Sequence, residues 1–111
     1  MAKYERRLKG NFDEFLRELN DGILRGSMSA SLEDGSDYSN QNVRCAVRVY
    51  ERYSMTGGNR LSMNITLVGD DDDLFVSVIT AGGSQAMLFK FNTIGEESFL
   101  QCAVQIIESH I

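Results

Sequence analysis

The most constraining feature of the chain is the strict alternation from Leu61 to Val68, where Leu61, Met63, Ile65 and Leu67 interleave with Ser62, Asn64, Thr66 and Val68. A period of two sends successive side chains to opposite faces of a strand. The spacing therefore predicts a half-buried antiparallel strand, with Leu61, Met63, Ile65 and Leu67 beneath helices and Ser62, Asn64 and Thr66 on the opposite face. Turn-forming segments bracket it, Thr56-Gly57-Gly58-Asn59 before and Gly69-Asp70-Asp71-Asp72-Asp73 after. The chain contains no proline, so no strand is interrupted by a missing amide donor.

The same period extends outward from this strand. Val43, Cys45, Val47 and Val49 alternate with Arg44, Ala46, Arg48 and Tyr50 in a long strand reaching about Ser54, and Leu74 to Thr80 is rich in β-branched residues. Met28, Ala30 and Leu32 alternate with serines and Glu33, after which Asp34 to Gln41 has loop composition. Ala81-Gly82-Gly83-Ser84-Gln85 forms another glycine turn, and Met87, Phe89 and Phe91 read as a last strand. Near the start, Tyr4, Arg6 and Leu8 alternate weakly in a short strand that stops at Gly10-Asn11.

Two helices complete the pattern. Asn11 and Glu14 have capping-box spacing ahead of Phe12, Phe15, Leu16, Leu19 and Ile23, which predicts a helix from Phe12 to Leu24, with Gly22 or Gly26 at its left-handed end. Thr93 and Glu96 repeat that spacing ahead of Phe99, Leu100, Ala103, Val104, Ile106, Ile107 and Ile111. These apolar positions are too many for one narrow stripe, so the last helix should be buried on two sides, against its sheet and against the first helix or a second subunit.

The order is strand, helix, five strands joined largely by hairpins, then helix. It predicts an α+β two-layer sandwich, a mostly antiparallel six-stranded sheet with both helices on one face, similar in order to helix-grip folds. The first strand, tied by a tight turn to a helix of ~19 Å at 1.5 Å per residue, is expected to pair in parallel at a sheet edge through a right-handed crossover. Met28, Met63, Met87, Phe89 and Phe91 are expected to fill the space between sheet and helices. At 111 residues the expectation is one domain over 1–111.

Several segments carry a resemblance: Ala2-Lys3-Tyr4-Glu5-Arg6 with Gly10-Asn11-Phe12, then Arg44-Cys45-Ala46-Val47-Arg48-Val49-Tyr50-Glu51-Arg52-Tyr53, and Gly82-Gly83-Ser84-Gln85-Ala86 with Gly95-Glu96-Glu97-Ser98-Phe99. The chain resembles a family of short bacterial proteins classed only as a domain of unknown function. The resemblance implies a single-domain cytoplasmic protein and brings no catalytic motif, cofactor or substrate.

Composition narrows the function classes. A net charge of −5 and a pI near 4.7 disfavour duplex-DNA binding, which relies on cations at phosphates. No stretch approaches the roughly 18 apolar residues of a membrane span, and the charged start lacks an apolar signal region, so no membrane association and a cytoplasmic location are expected. Cys45 and Cys102 lie in apolar patterns without a second ligand at metal spacing and are expected as buried free thiols. Four consecutive aspartates at 70–73 read as a solvated turn, since cation loops interleave their ligands with spacers. His110 is the only histidine and is penultimate, where fraying is expected. Neither an activated cysteine nor paired carboxylates in an apolar setting are visible, so no enzyme activity, cofactor or metal is expected.

The apolar set of the long strand is expected to face the helices, leaving Arg44, Arg48, Tyr50 and Arg52 outward, with Arg60 joining them across the hairpin. Guanidinium groups beside tyrosine suit an oxyanion or an acidic protein surface, whereas the simpler reading is cross-strand packing and ion pairing with Glu51, Glu33 or the aspartate turns. The leading expectation is a non-catalytic binding or assembly module, a possible homodimer, acting through this face. The alternatives are a carrier of an apolar or amphipathic small molecule between sheet and last helix, and, more weakly, a binder of single-stranded nucleic acid.

Overall fold

Strands from Ser31 to Gly82 pair in chain order because each connection between them is short enough to bring a strand back beside its predecessor. The computed structural model describes residues 1–26, 29–53, 60–82 and 89–111, the side chains of 89–94 excepted. Its elements are β1 (Ala2–Lys9), α1 (Phe12–Gly26), β2 (Ser31–Asn40), β3 (Val43–Tyr53), β4 (Arg60–Asp70), β5 (Asp73–Gly82) and α2 (Phe89–Glu108). The strands lie in the order β1-β5-β4-β3-β2, and every neighbouring pair is antiparallel. The fold is thus α+β, with five strands among the described residues where six were expected.

Residues 89–91, expected in a sixth strand, instead open α2, while Met87 and Met28 lie outside the described residues. Three alternating positions are too few to separate a period of two from the first turn of a helix. The segment 34–40, expected as loop, belongs to β2, and only Gln41-Asn42 turns the chain. β2 is an edge strand whose ten residues are all exposed, so polar side chains there bear no desolvation cost, and its backbone pairs with β3 regardless. A register shift between Leu32 and Asp34 marks a bulge. Gln41 and Asp71, each first in a two-residue turn, adopt left-handed backbone at φ 55° and 54°.

β1 occupies a sheet edge as expected but pairs antiparallel to β5, from Ala2 opposite Thr80 to Lys9 opposite Asp73. The crossover does not return to a neighbouring strand. Four inter-strand steps of ~4.8 Å make ~19 Å, a span that the 15 residues of α1 cover at ~1.5 Å each. The helix carries the chain from one edge to the other, and β1 closes the flank that β5 leaves open.

Asn11 caps α1 as its spacing predicts, its Oδ1 accepting from the Glu14 amide at 2.9 Å. Phe15, Leu19 and Ile23 point into the core with Leu61, Met63, Ile65 and Leu67, which are at most 1% exposed, and α2 adds Phe99, Ala103 and Ile107. Gly22 lies within α1, not at a left-handed end. A Cβ there would sit 2.4 Å from the Ile106 Cδ1, so the missing side chain lets the helices approach. α2 is accordingly buried on two sides, against the sheet and against α1, although Ile111 remains exposed. Among the described residues no helix is long and apolar enough to cross a membrane.

Candidate functional site

Which side of β3 meets the helices is decided by pairing. Residues directly opposite each other in antiparallel strands share a face, and a hairpin closed by an even number of residues matches even positions of one strand with odd positions of the other. Tyr50 pairs with Met63, Arg48 with Ile65, Ala46 with Leu67 and Arg52 with Leu61. The set Arg44, Arg48, Tyr50 and Arg52, expected outward, therefore lies on the helix-covered side, and Val43, Cys45, Val47 and Val49 lie on the helix-free side.

Each member of the expected patch has a local partner. Tyr50 is 1% exposed, its hydroxyl donates to Asn20 Oδ1 at 2.6 Å, and burial pushes the phenol up to about 12. Arg44 stacks over Phe12 at 4.3 Å and donates to Asp13 at 2.8 Å, which holds that carboxyl below its usual range. Arg48 pairs with Asp37 at 3.0 Å. Arg52 lies 4.5 Å over Phe99 and donates to the Gly95 carbonyl. Their alkyl stems cover the margin of the core while the guanidinium groups reach carboxylates or carbonyls at its edge. Arg60 does not join them: it sits opposite Tyr53 on the other face, stacked on that ring at 5.5 Å and paired with Glu51. The five residues do not form one patch.

The helix-free face consists of rows crossing all five strands. One row runs Tyr38, Cys45, Val68, Phe75 and Arg7; the next runs Ser36, Val47, Thr66, Ser77 and Glu5; a third runs Asp34, Val49, Asn64, Ile79 and Lys3. The face is thus apolar along β3, mixed in the centre, basic along β1 and acidic at Asp34. Tyr38 is 63% exposed, Val43 40% and Ile79 38%. Ser77 donates to Glu5 and Lys9 pairs with Asp73 at 2.7 Å. Among the described residues no ion pair engages Lys3, Arg7 or Asp34. The parity of the loop between β3 and β4 was the sequence signal for this surface; hydrophobicity alone points to the wrong side.

The remaining candidates resolve locally. Asp70 and Asp73 end strands around an exposed two-residue turn, and no group of metal-ligating side chains occurs among the described residues. Cys45 and Cys102 are free, and both are half-buried instead of fully buried. His110 is docked where fraying was expected: its ring meets Phe15 edge-on at 5.3 Å, and its Nδ1 lies 2.9 Å from the Ile106 carbonyl. Nε2 contacts Glu18. The Ile106 carbonyl and then Glu18 raise its pKa. Glu96 is not a capping residue, since α2 starts at Phe89. Its buried carboxylate takes the Met1 ammonium at 2.6 Å and the Gly82 amide.

Fold and surface together define an α+β protein with two helices on one side of a five-stranded antiparallel sheet and, among the described residues, nothing on the other. The chain belongs to DUF6054, a family of unknown function whose family model matches residues 1–111. Neither the curated proteins nor the solved structures compared with the chain contain a match.

Proposed function

We propose that this chain is a non-catalytic binding or assembly module whose working surface is the helix-free face of the sheet. The observation that carries the reading is the β3 stripe of exposed Val43 and half-buried Cys45, Val47 and Val49, continued by half-buried Val68 and Phe75 and by exposed Tyr38, with no described element over it. β-branched residues in an interior strand normally meet a second layer, and an uncovered apolar stripe rimmed by polar and charged residues marks an interaction site. Arg60 and Tyr53 stand at its end. Anion recognition by Arg44 or Arg48 would have to displace Asp13 or Asp37. A carrier between sheet and helices would have to displace Met63, Leu67, Val76 and Phe99, which fill that space.

The test is the size of the tagged chain in native extract of the cells that make it, compared with Val47→Lys/Val49→Lys. Both positions are off the core, so the variant should keep the circular dichroism of the wild type. The wild type should elute in an assembly heavier than the single chain, and the variant at the single-chain position. A wild type that elutes alone, or a folded variant that elutes with it, rejects the reading.

A further inference from the structure

Resting on the reading of this face as the working surface, the geometry points to a second copy of the chain as its occupant, stacked face to face about a two-fold axis parallel to the strands. Five strands ~4.8 Å apart, each about ten residues long at ~3.3 Å per residue, give a face of roughly 800 Å². That is the share one partner contributes to a standard interface of ~1,600 Å².

Opposite charges on the two outer strands select the axis, against one like-charge approach of the exposed Asp70 to its own copy at the end of β4. A two-fold parallel to the strands reverses strand order and preserves rows, so β1 of one copy lies over β2 of the other and β4 lies over β4. Lys3 then meets the partner copy's Asp34 and Arg7 meets its Tyr38, because each pair shares a row. The first is an ion pair and the second a cation over a ring. In the same rows Phe75 falls on Cys45 and Ile79 on Val49, so apolar side chains meet apolar ones. Sheets stacked this way lie ~10 Å apart, close enough for these side chains to interdigitate. An axis across the strands instead lays β1 over β1 and brings Lys3 to Arg7, like charge against like, leaving Asp34 without a cation.

The experiment is sedimentation equilibrium of the purified full chain with four variants. Wild type should show twice the 12.4 kDa chain mass, and Val68→Asp, near the axis, should be a folded monomer. Lys3→Glu and Asp34→Lys should each weaken the dimer by about tenfold, and the double variant should regain wild-type affinity because the pair is restored in reverse. Wild type that stays monomeric overturns the inference. So does a double variant that is weaker than either single one, since the pair then does not meet across the interface. If the purified chain is monomeric while the extract assembly still depends on Val47 and Val49, the face binds another partner and only this inference fails.

Discussion

The two faces of the sheet are built from the same strands yet carry different kinds of residue. On the covered face Leu61, Met63, Ile65 and Leu67 meet α1 and α2 and are almost completely buried. On the free face Asn64, Thr66 and Val68 share their rows with Val49, Val47, Cys45, Phe75 and Ile79. Along β4 the covered face takes larger side chains that fill space between layers, and arginine stems of β3 lie at its margin. Along β3 and β4 the free face takes valines among small polar side chains, a composition that tolerates water while keeping apolar area for contact. Hydropathy alone therefore does not identify the inside of this sheet; strand pairing does.

The contrast breaks most completely if the covering layer is removed. Truncation from Ile106 onward deletes Ile107, which is fully buried, and the contact of Glu108 with Tyr4. Cooperative unfolding should be lost; a truncated chain that still melts in one sharp transition would show that α2 contributes little. Next, Ile65→Ala should cost ~2–5 kcal/mol in urea denaturation, whereas Thr66→Ala, its neighbour on the other face, should cost no more than about 0.5 kcal/mol. Equal losses would erase the distinction between the faces.

Much of the fold was legible before the structure because β4, α1 and α2 have long patterns with a single period. Their buried residues follow it, and the Asn11 cap forms as its spacing implies. β2 was legible only at its start, Ser31 to Glu33, because from Asp34 on an edge strand with both faces wet has no hydropathic alternation to read. The site was misplaced for a sharper reason. Val43, Cys45, Val47 and Val49 are more apolar than Arg44, Ala46, Arg48 and Tyr50, so each residue taken alone belongs inside, but the hairpin into β4 reverses the assignment. Long-range pairing overrode local hydropathy, and Ala46 and Tyr50 are the two β3 residues that the covered face buries.

Tyr50 sharpens this point. Tyr50→Phe removes the hydrogen bond to Asn20 and should cost about 1 kcal/mol, measured by urea denaturation near neutral pH. Its ionisation is raised from 10.0 to about 12, so the stabilisation of the protonated phenol is complete below pH 10 and lost as pH rises toward about 12. The variant should lack that alkaline component. A Tyr50 exposed on the outer face would show neither effect.

The smallest effect lies on the outer side of the covering layer. The His110 pKa is raised above 6.5 by the Ile106 carbonyl and Glu18, so its contribution is complete below pH 6.5 and lost as pH rises through the folded-state value. Relative to His110→Gln, wild type should lose about 0.5 kcal/mol across that interval, read from denaturation midpoints. An unchanged difference between the two proteins would remove His110 from the helix contact.

The two cysteines provide the most direct test, because Cys45 sits on the free face beside Tyr38 and Val68, while Cys102 sits on α2 beside Gly22 and Arg25. Alkylation of each thiol in the purified protein can be followed by mass spectrometry over a range of protein concentrations. If the free face is where copies of the chain meet, Cys45 reacts more slowly as concentration rises and Cys102 keeps a constant rate. Constant rates at both thiols would contradict self-association through this face.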